Sequence, residues 1–474
     1  MNCLPYRLFS FLALLCVQFV ALFPAVLFGK PVKVFILSGQ SNMVGAGKVD
    51  GGGTRWGEEM IDPVVSVYPG SYDPAVDYDQ LKPIRTLQLE SFGGVKPTPY
   101  PDGGVQVVRG FVQPKETGIY EFRPGYGASS QCLMEVNGKE VHRQEVGGEA
   151  VRRELKLEAG KKVPFKITYF TREANGLGWT ARLDVPGSLK TLVKFEGKYP
   201  YLINRKGQWV ARDDVYYRGV VTATGSHWLG VAGGRIGPEL GFGHAVGEAL
   251  EEPVLVLKTS QGNRSLGWDF LPPGSKQYEF EGKIYAGYGE SPLSWETGSK
   301  AEPINWYAGK QYDECFSAAH EVLDNFDEQF PRWKGRGYEI VGFAWWQGDK
   351  DRYNLAHAAK YEENLVRLIR SLREEFKAPT AKFVVGTLGQ TSKNLVPTND
   401  LEKAEKMIID AKFAVDGDSG KYPEFKDNVL TVYTHPLSQG GASNSHYNGH
   451  AQTYMDVGLA MGQAMIELIE RQED

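Results

Sequence analysis

The sequence predicts an α/β protein built on a parallel sheet and interrupted by an antiparallel β-sandwich. Two observations carry this. Five short apolar segments rich in Val and Ile alternate with helical patterns, in which apolar residues recur every three or four positions. Strands buried on both faces lose polar alternation, and their alternation with helices points to parallel pairing under helical layers. Between about residues 95 and 186 that rhythm stops. Short segments there alternate apolar with polar and are separated by turn residues such as Asn137-Gly138 and Ala159-Gly160, the pattern of antiparallel hairpins.

The parallel strands are expected at 32–37, 253–259, 338–345, 382–388 and 429–433, and the helices at 240–250, 312–326, 356–376, 400–413 and 451–469. Residues 1–29 read as a signal peptide. Arg7 supplies the positive end, positions 8–28 are almost wholly apolar, and Ala25 and Gly29 offer small residues for cleavage. The same run is long enough to span a bilayer, so a retained membrane anchor stands as the alternative. Cys16 lacks the small residues that precede a lipidated cysteine. The expected location is secreted or periplasmic. The expected organisation is 30–94 as the first part of the α/β domain, 95–190 as the inserted sandwich and 191–474 as the second part.

The chain has 474 residues and a net charge of -5, with 42% hydrophobic and 23% charged residues. That length suffices for two or three domains, and the charge gives no general attraction to nucleic acid or to an anionic membrane. No stable membrane partner is expected beyond the signal segment. Cys132 and Cys315 are the cysteines outside the signal. Two distant thiols make no disulfide framework, so both are expected to be buried and unpaired.

Ser41 follows the first strand in Leu37-Ser38-Gly39-Gln40-Ser41-Asn42-Met43. A buried parallel strand delivers such a turn to the carboxyl edge of the sheet, where open α/β folds hold their ligands, and the small Ser38 and Gly39 allow close approach. The plainer reading is an ordinary strand-to-loop turn containing serine. A nucleophilic serine needs a base, and the base an orienting group. His142 lies in the sandwich region, His244, His320 and His357 in helical patterns, and His227 and His435 in loops or at a strand end. His446 and His450 remain, between the last strand and the last helix, where the chain returns to the edge carrying Ser41. A metal-binding i,i+4 couple is the alternative, disfavoured because no third ligand lies nearby.

Two more strand ends carry polar turns. Thr259-Ser260-Gln261-Gly262-Asn263-Arg264-Ser265-Leu266 would present the Gly262 and Asn263 amides, and Trp345-Trp346-Gln347-Gly348-Asp349 offers an amide donor and a carboxylate. The second could equally be a capped turn with aromatic packing, and the first also carries an N-glycosylation sequon at Asn263-Arg264-Ser265. Gly237-Pro238-Glu239-Leu240 reads as a helix start with Pro in the first turn. No phosphate loop, zinc-protease helix or dinucleotide fingerprint is present in the sequence.

Together these blocks resemble the SGNH-type hydrolases, within them the sialate O-acetylesterase-like branch that includes carbohydrate esterase family 6. Gly39-Gln40-Ser41-Asn42-Met43-Val44-Gly45 matches the family's opening "GQSNM-x-G" block. Gly262-Asn263-Arg264-Ser265-Leu266 matches its glycine block with Asn263 for the second glycine. Trp345-Trp346-Gln347-Gly348-Asp349 matches "W-x-Q-G-E" with Asp for Glu, and His446-Tyr447-Asn448-Gly449 matches "H-x-x-G". The resemblance implies a flavodoxin-like three-layer fold and a secreted serine esterase that removes O-acetyl groups from carbohydrates, of acetylxylan esterase or sialate O-acetylesterase type. It implies Ser41 as nucleophile, His446 as base, and an oxyanion hole from Ser41, Gly262, Asn263 and the Gln347 side chain, each donor worth ~3 kcal/mol in the transition state. The substrate would be an acetylated polysaccharide or a sialic-acid-like sugar, and no cofactor is implied. The usual triad acid stands three residues before the histidine. That position is Ser443 here. In some members the glutamate of the Gln-Gly-Glu block takes the role, which implies Asp349, and a backbone carbonyl serving His446 in a Ser–His dyad is the alternative.

The insert resembles the protective-antigen-type β-sandwich module found inserted in glycosidases and adhesins, through Gly110-Phe111-Val112-Gln113-Pro114, Thr117-Gly118-Ile119-Tyr120-Glu121-Phe122, Val136-Asn137-Gly138-Lys139 and Leu157-Glu158-Ala159-Gly160-Lys161. Calcium-dependent members carry an Asp-Asp pair where this chain has Ser129 and Ser130. Calcium wants anionic oxygens, so a scaffold or weak carbohydrate contact is expected instead. Ser443 and Asp349 also motivate an alternative, a catalytically disabled carbohydrate-binding or cell-surface protein that keeps the fold. A lipase-like role is disfavoured by the lack of an apolar lid segment. Substrate choice is expected in loops 51–72 and 267–297, with Trp268, Trp295 and Trp306 as stacking or packing residues.

Overall fold

The computed structural model describes residues 29–51, 53–55, 59–89, 104–124, 131–170, 178–222 and 224–471. Residues 1–28 of the stretch expected as a signal peptide, and the Ser129 and Ser130 positions, lie outside them. A seven-stranded sheet organises the α/β part, in the order Gly225–Trp228, Val215–Val221, Val254–Ser260, Val32–Gly39, Tyr338–Trp346, Lys382–Gly386, Val429–Val432. Every neighbouring pair is parallel except the outermost hairpin, Val215–Val221 with Gly225–Trp228.

Val34, Ile36, Leu255, Leu257, Phe343 and Trp345 project to one side, against Tyr312, Phe316, Leu365, Ile369 and Ile408 of the helices Lys310–Asp324, Leu355–Glu375 and Asp400–Ala414. Phe35, Leu37, Val254, Val256 and Trp346 project to the other, against Leu240, Val246, Tyr454, Met461 and Met465 of the helices Glu239–Ala249 and Ala451–Glu470. Burial on both faces is what unbroken Val/Ile strands require. Among the described residues no helix is long and apolar enough to cross a membrane.

The remaining β structure is antiparallel. A seven-stranded sheet runs Val151–Arg152, Lys139–Gln144, Gln131–Val136, Val163–Phe170, Val105–Val112, Met60–Tyr68, Arg85–Gln88, and a four-stranded one runs Leu155–Leu157, Gly118–Arg123, Trp179–Arg182, Gly53–Arg55. Their shared core includes Val108, Phe122, Met134, Val136, Phe165 and Ile167. Asn137 and Gly138, at φ 52° and 71°, form the turn between Gln131–Val136 and Lys139–Gln144; two adjacent positive φ angles match the right-handed twist of a hairpin. These sheets take strands from Gly53 onward, ahead of residue 95, and much of the 51–72 stretch expected as a substrate loop is strand. Cys132 and Cys315 are buried free thiols.

One buried ion pair fixes the entry to the first face helix. The Lys258 ammonium, fully enclosed, donates to Glu239 Oε2 at 2.7 Å and to the Val44 carbonyl at 2.8 Å. Burial pulls its proton affinity below the ordinary lysine range, against the attraction of Glu239. Removing one member of a buried pair strands the other in low dielectric. Glu239→Ala is therefore expected to cost about 3–5 kcal/mol of stability, measured by urea denaturation at pH 7; a change below about 1 kcal/mol would contradict the pairing.

Candidate active site

Parallel register brings three turns to one place. Gly39 pairs with Ser260 on one side and Trp346 on the other, so the chain leaves the sheet at Ser41, Gly262 and Gln347 side by side. Gly39 has φ 148°, and a Cβ there would overlap the Trp346 carbonyl oxygen, so only glycine lets the strands approach this closely. Gln40 then closes the edge. Buried itself, its Oε1 accepts from Gln347 Nε2 at 3.2 Å and from the backbone N–H groups of Gly348 at 3.2 Å and Lys350 at 3.1 Å.

Ser41 opens a short helix, Ser41–Val44, and is half-buried. Its hydroxyl makes no hydrogen bond among the described residues. Gly262 faces it so closely that a Cβ would stand 3.6 Å from Ser41 Cβ. Asn263, at φ 56°, turns the chain left-handed there. The N–H groups of Gly262 and Asn263 have no acceptor among the described residues. The N–H of Ser41, in the first turn of its helix, has no intrahelical acceptor. Three backbone donors in these two facing turns therefore have their hydrogen-bonding capacity unused.

The neighbouring Asn42 ties this turn to the distant histidine. Its Nδ2 donates to the Ser443 carbonyl at 3.2 Å. The Tyr454 hydroxyl lies 3.1 Å from Asn42 Oδ1 and 3.2 Å from the His446 carbonyl. His446 sits in a left-handed turn, with φ 52° at His446 and φ 51° at both Tyr447 and Asn448. Side chains that define the turn are fixed below it. Tyr447 is buried, stacks on Trp346 at 5.9 Å and accepts from Gly389 N–H at 3.2 Å, while Asn448 Nδ2 donates to the Gly440 carbonyl at 2.5 Å. Sequence and structure thus place Ser41 and His446 on one linked frame. No hydrogen bond joins their side chains among the described residues.

The structure arranges two expected residues differently. The Gln347 amide nitrogen donates to Asp351 Oδ2 at 2.5 Å, to the Arg264 carbonyl at 2.9 Å and to Gln40. Two hydrogens already face three protein acceptors, so this amide braces the edge and has none left for an oxyanion. Asp349 Oδ1 accepts from Ser443 Oγ at 2.6 Å and from Arg352 Nε at 2.9 Å, with Arg352 also paired to buried Glu405. It makes no hydrogen bond to His446 among the described residues. Its carboxylate instead reaches position 443, where the acid of the resembled family stands.

Asp351 was not singled out by sequence reasoning. Fully buried, it accepts from the N–H groups of Leu266 at 2.9 Å and Gly267 at 2.8 Å as well as from Gln347. It therefore clamps the Gly262–Leu266 turn to the Gln347 turn. Desolvation lifts its carboxyl to about 6, opposed by these donors. Lys412, equally buried and pushed down to about 7 by desolvation, donates to the carbonyls of Gln347 and Gly386. The only sequence signal for Asp351 is a second carboxylate two residues after Asp349.

Trp268 packs with Leu271, Ala286 and Ala308, and Trp306 lies beneath the Arg264 guanidinium at 4.8 Å and the Lys310 ammonium at 4.5 Å. A polar cavity of about 210 Å³ adjoins Val44 and Gly45 at the end of the Ser41 helix. A larger one, about 980 Å³, opens away from this edge between Tyr201, His244 and Leu459. Among the described residues no group of three or more His, Cys, Asp or Glu could hold a metal ion.

Comparisons with known proteins match two separate parts of the chain. The family model described as carbohydrate esterase, sialic acid-specific acetylesterase, matches residues 201–467, and the PA14 domain model matches 95–197. No curated protein sequence matches. Among solved structures, a protein from Arabidopsis thaliana is similar at 16% identity and TM-score 0.32, covering 56% of this chain and 89% of that one. A carbohydrate acetylesterase from Xanthomonas citri is similar at 13% identity and TM-score 0.32, covering 76% and 70%. A carbohydrate esterase family 2 enzyme with a carbohydrate-binding domain, from Corynascus thermopiles, is similar at 13% identity and TM-score 0.27, covering 86% and 99%.

The clamp has a pH signature. A carboxyl whose folded value is raised above its unfolded value favours folding below the unfolded value, and that contribution is lost as pH rises through the folded one. For Asp351 the window runs from the ordinary aspartate value of 3.8 up to about 6. Compared with Asp351→Asn, the wild type should therefore lose up to about 3 kcal/mol of relative stability between pH 4 and pH 7. Denaturant titrations of both proteins at the two pH values measure this, and a constant difference would remove Asp351 from the account.

Proposed function

From a chain that belongs to the carbohydrate esterase, sialic acid-specific acetylesterase family, whose model spans more than half of it, we propose a secreted serine esterase that removes O-acetyl groups from carbohydrates. The carrying observation is the convergence of Ser41, the unused Gly262 and Asn263 amides and the His446 turn, joined by Asn42 and Tyr454 at one sheet edge. Strand order supports an SGNH-type, flavodoxin-like frame. Without the outer hairpin it reads second, first, third, fourth, fifth, the order that places ligands beside the first strand's carboxyl end.

Ser41 Oγ attacks the acetyl carbonyl carbon while His446 takes its proton, and the new oxyanion meets the N–H groups of Ser41, Gly262 and Asn263. His446 gives the proton to the departing sugar oxygen, leaving an acetyl ester on Ser41. Water, deprotonated by the same imidazole, releases acetate and restores the serine. Asp349 supplies the carboxylate missing at position 443 by holding Ser443 Oγ, three residues before His446. The sandwich is an insert within this hydrolase. Strand pairing from Gly53 supports a start near residue 51, earlier than 95.

Acetate release from acetylated xylan and acetylated sialosides, with p-nitrophenyl acetate as a small control, tests the reading. Ser41→Ala and His446→Ala should each lose at least about a thousandfold in kcat. Asp349→Asn should lose about ten- to a hundredfold, because its support is indirect. Ser41→Ala retaining wild-type turnover would end the proposal.

A further inference from the structure

We propose that Gly187, in the turn by which the chain leaves the inserted β-sandwich, is a positioning residue for His446. The insert is thus part of the frame that sets the catalytic base. This rests on the reading of His446 given above. Both connections of the insert are rooted beside the His446 turn. On the outward path, Gly449 packs so tightly on Lys48 and Ala46 that a Cβ there would stand 2.8 Å from Lys48 Cγ and 3.1 Å from the Ala46 carbonyl. Gly47 lies equally close to Tyr454 and Ala451.

On the return path, the Gly187 carbonyl accepts from Ala451 N–H at 2.7 Å, the first residue of the last helix. Gly187 also presses its bare Cα face on the His450 ring. A Cβ there would stand 2.6 Å from His450 Nε2 and 2.9 Å from Cγ. His450 N–H in turn donates to the Tyr447 carbonyl at 2.9 Å, one residue from His446. A side chain at 187 therefore pushes His450, and through Tyr447 the left-handed turn that aims His446.

The return turn cannot give way instead. Thr191 Oγ1 bonds the carbonyls of Leu183 at 3.3 Å and Val185 at 2.8 Å, and Lys190 N–H bonds the Val49 carbonyl at 2.8 Å on the outward path. Leu189, Leu192 and Val193 are buried in the same core as Ala451 and Tyr454. The clash must be absorbed on the histidine side.

Gly187 has φ 76° and Gly207 φ 71°, but nothing lies within 4 Å of a Cβ at Gly207. Gly207→Ala thus carries the same backbone strain without the collision, and serves as the control. In acetate release from p-nitrophenyl acetate by the full chain, Gly187→Ala should lower kcat at least tenfold with KM within twofold. Gly207→Ala should change neither more than twofold. Adding His450→Ala to Gly187→Ala should recover at least half of the lost kcat on a logarithmic scale, which a general loss of folding would not allow. Histidine ring NMR gives a second reading that needs no turnover. The His446 resonance, assigned by its absence in His446→Ala, should shift in Gly187→Ala and not in Gly207→Ala.

Equal effects of the two alanines, or unchanged kcat and ring resonance in Gly187→Ala, would overturn the inference. A wild type that releases no acetate would instead fail the esterase reading, and the ring resonance would still decide the positioning.

Discussion

The parallel register that sets Gly39 between Ser260 and Trp346 is the constraint on which the edge depends. Register in a sheet buried on both faces is strongly specified, because a one-residue slip would turn Phe35 and Leu37 away from one helical layer and Val34 and Ile36 away from the other. Once it is set, three turns leave adjacent strands together. Their proximity then needs no long loop to be closed, so little conformational entropy is spent to gather them. Gln40 completes the closure, with one amide oxygen collecting N–H groups from Gln347, Gly348 and Lys350.

Under that edge lies a layer of buried charge instead of hydrocarbon. Asp351, Lys258 and Lys412 are each fully enclosed, and each spends hydrogen bonds on backbone groups of the turns above it. Enclosed charges are costly, and apolar residues of similar volume are often as stable or more so. What apolar residues cannot do is grip a carbonyl or an N–H in one orientation. Charge-assisted bonds are short and directional, so the layer fixes the turns carrying Ser41, Gly262 and Asp349 at a cost in stability borne by the apolar faces of the sheet.

How much of this was legible in the sequence follows from where periodicity operates. Central strands and face helices repeat their apolar spacing over several turns, and structure places them where that spacing does. Val215–Val221 escaped because Tyr216 and Arg218 interrupt the apolar run at the sheet's less buried side. Met60–Tyr68 escaped because Pro63 lies at a shift in register between Ile61 and Val64, which breaks the alternation a reader looks for. At the candidate site, the identity of a side chain is visible in a motif, but its hydrogen-bond partners are not. Gln347 looks like a free donor until Asp351, Arg264 and Gln40 are seen to use its hydrogens. Nor does spacing show that Asp349 reaches Ser443, ninety-four positions along the chain.

The left-handed turn at His446, Tyr447 and Asn448 shows why such partners matter. Each non-glycine residue in that conformation costs roughly 1–2 kcal/mol, so the turn is about 3–6 kcal/mol above a relaxed chain. Burying Tyr447 returns about 2 kcal/mol, and bonds at Tyr447 N–H, Gly389 N–H, Asn448 Nδ2 and His450 N–H add about 1 kcal/mol each. The balance is near zero, so no single contact holds the imidazole and the loss of any one lets the turn relax. A turn poised this way is sensitive to neighbours well outside it. Ser443 reaches Asp349 from the start of the turn and His450 meets Gly187 at its end, so both anchors of the His446 turn lie on segments distant in sequence from it and from Ser41.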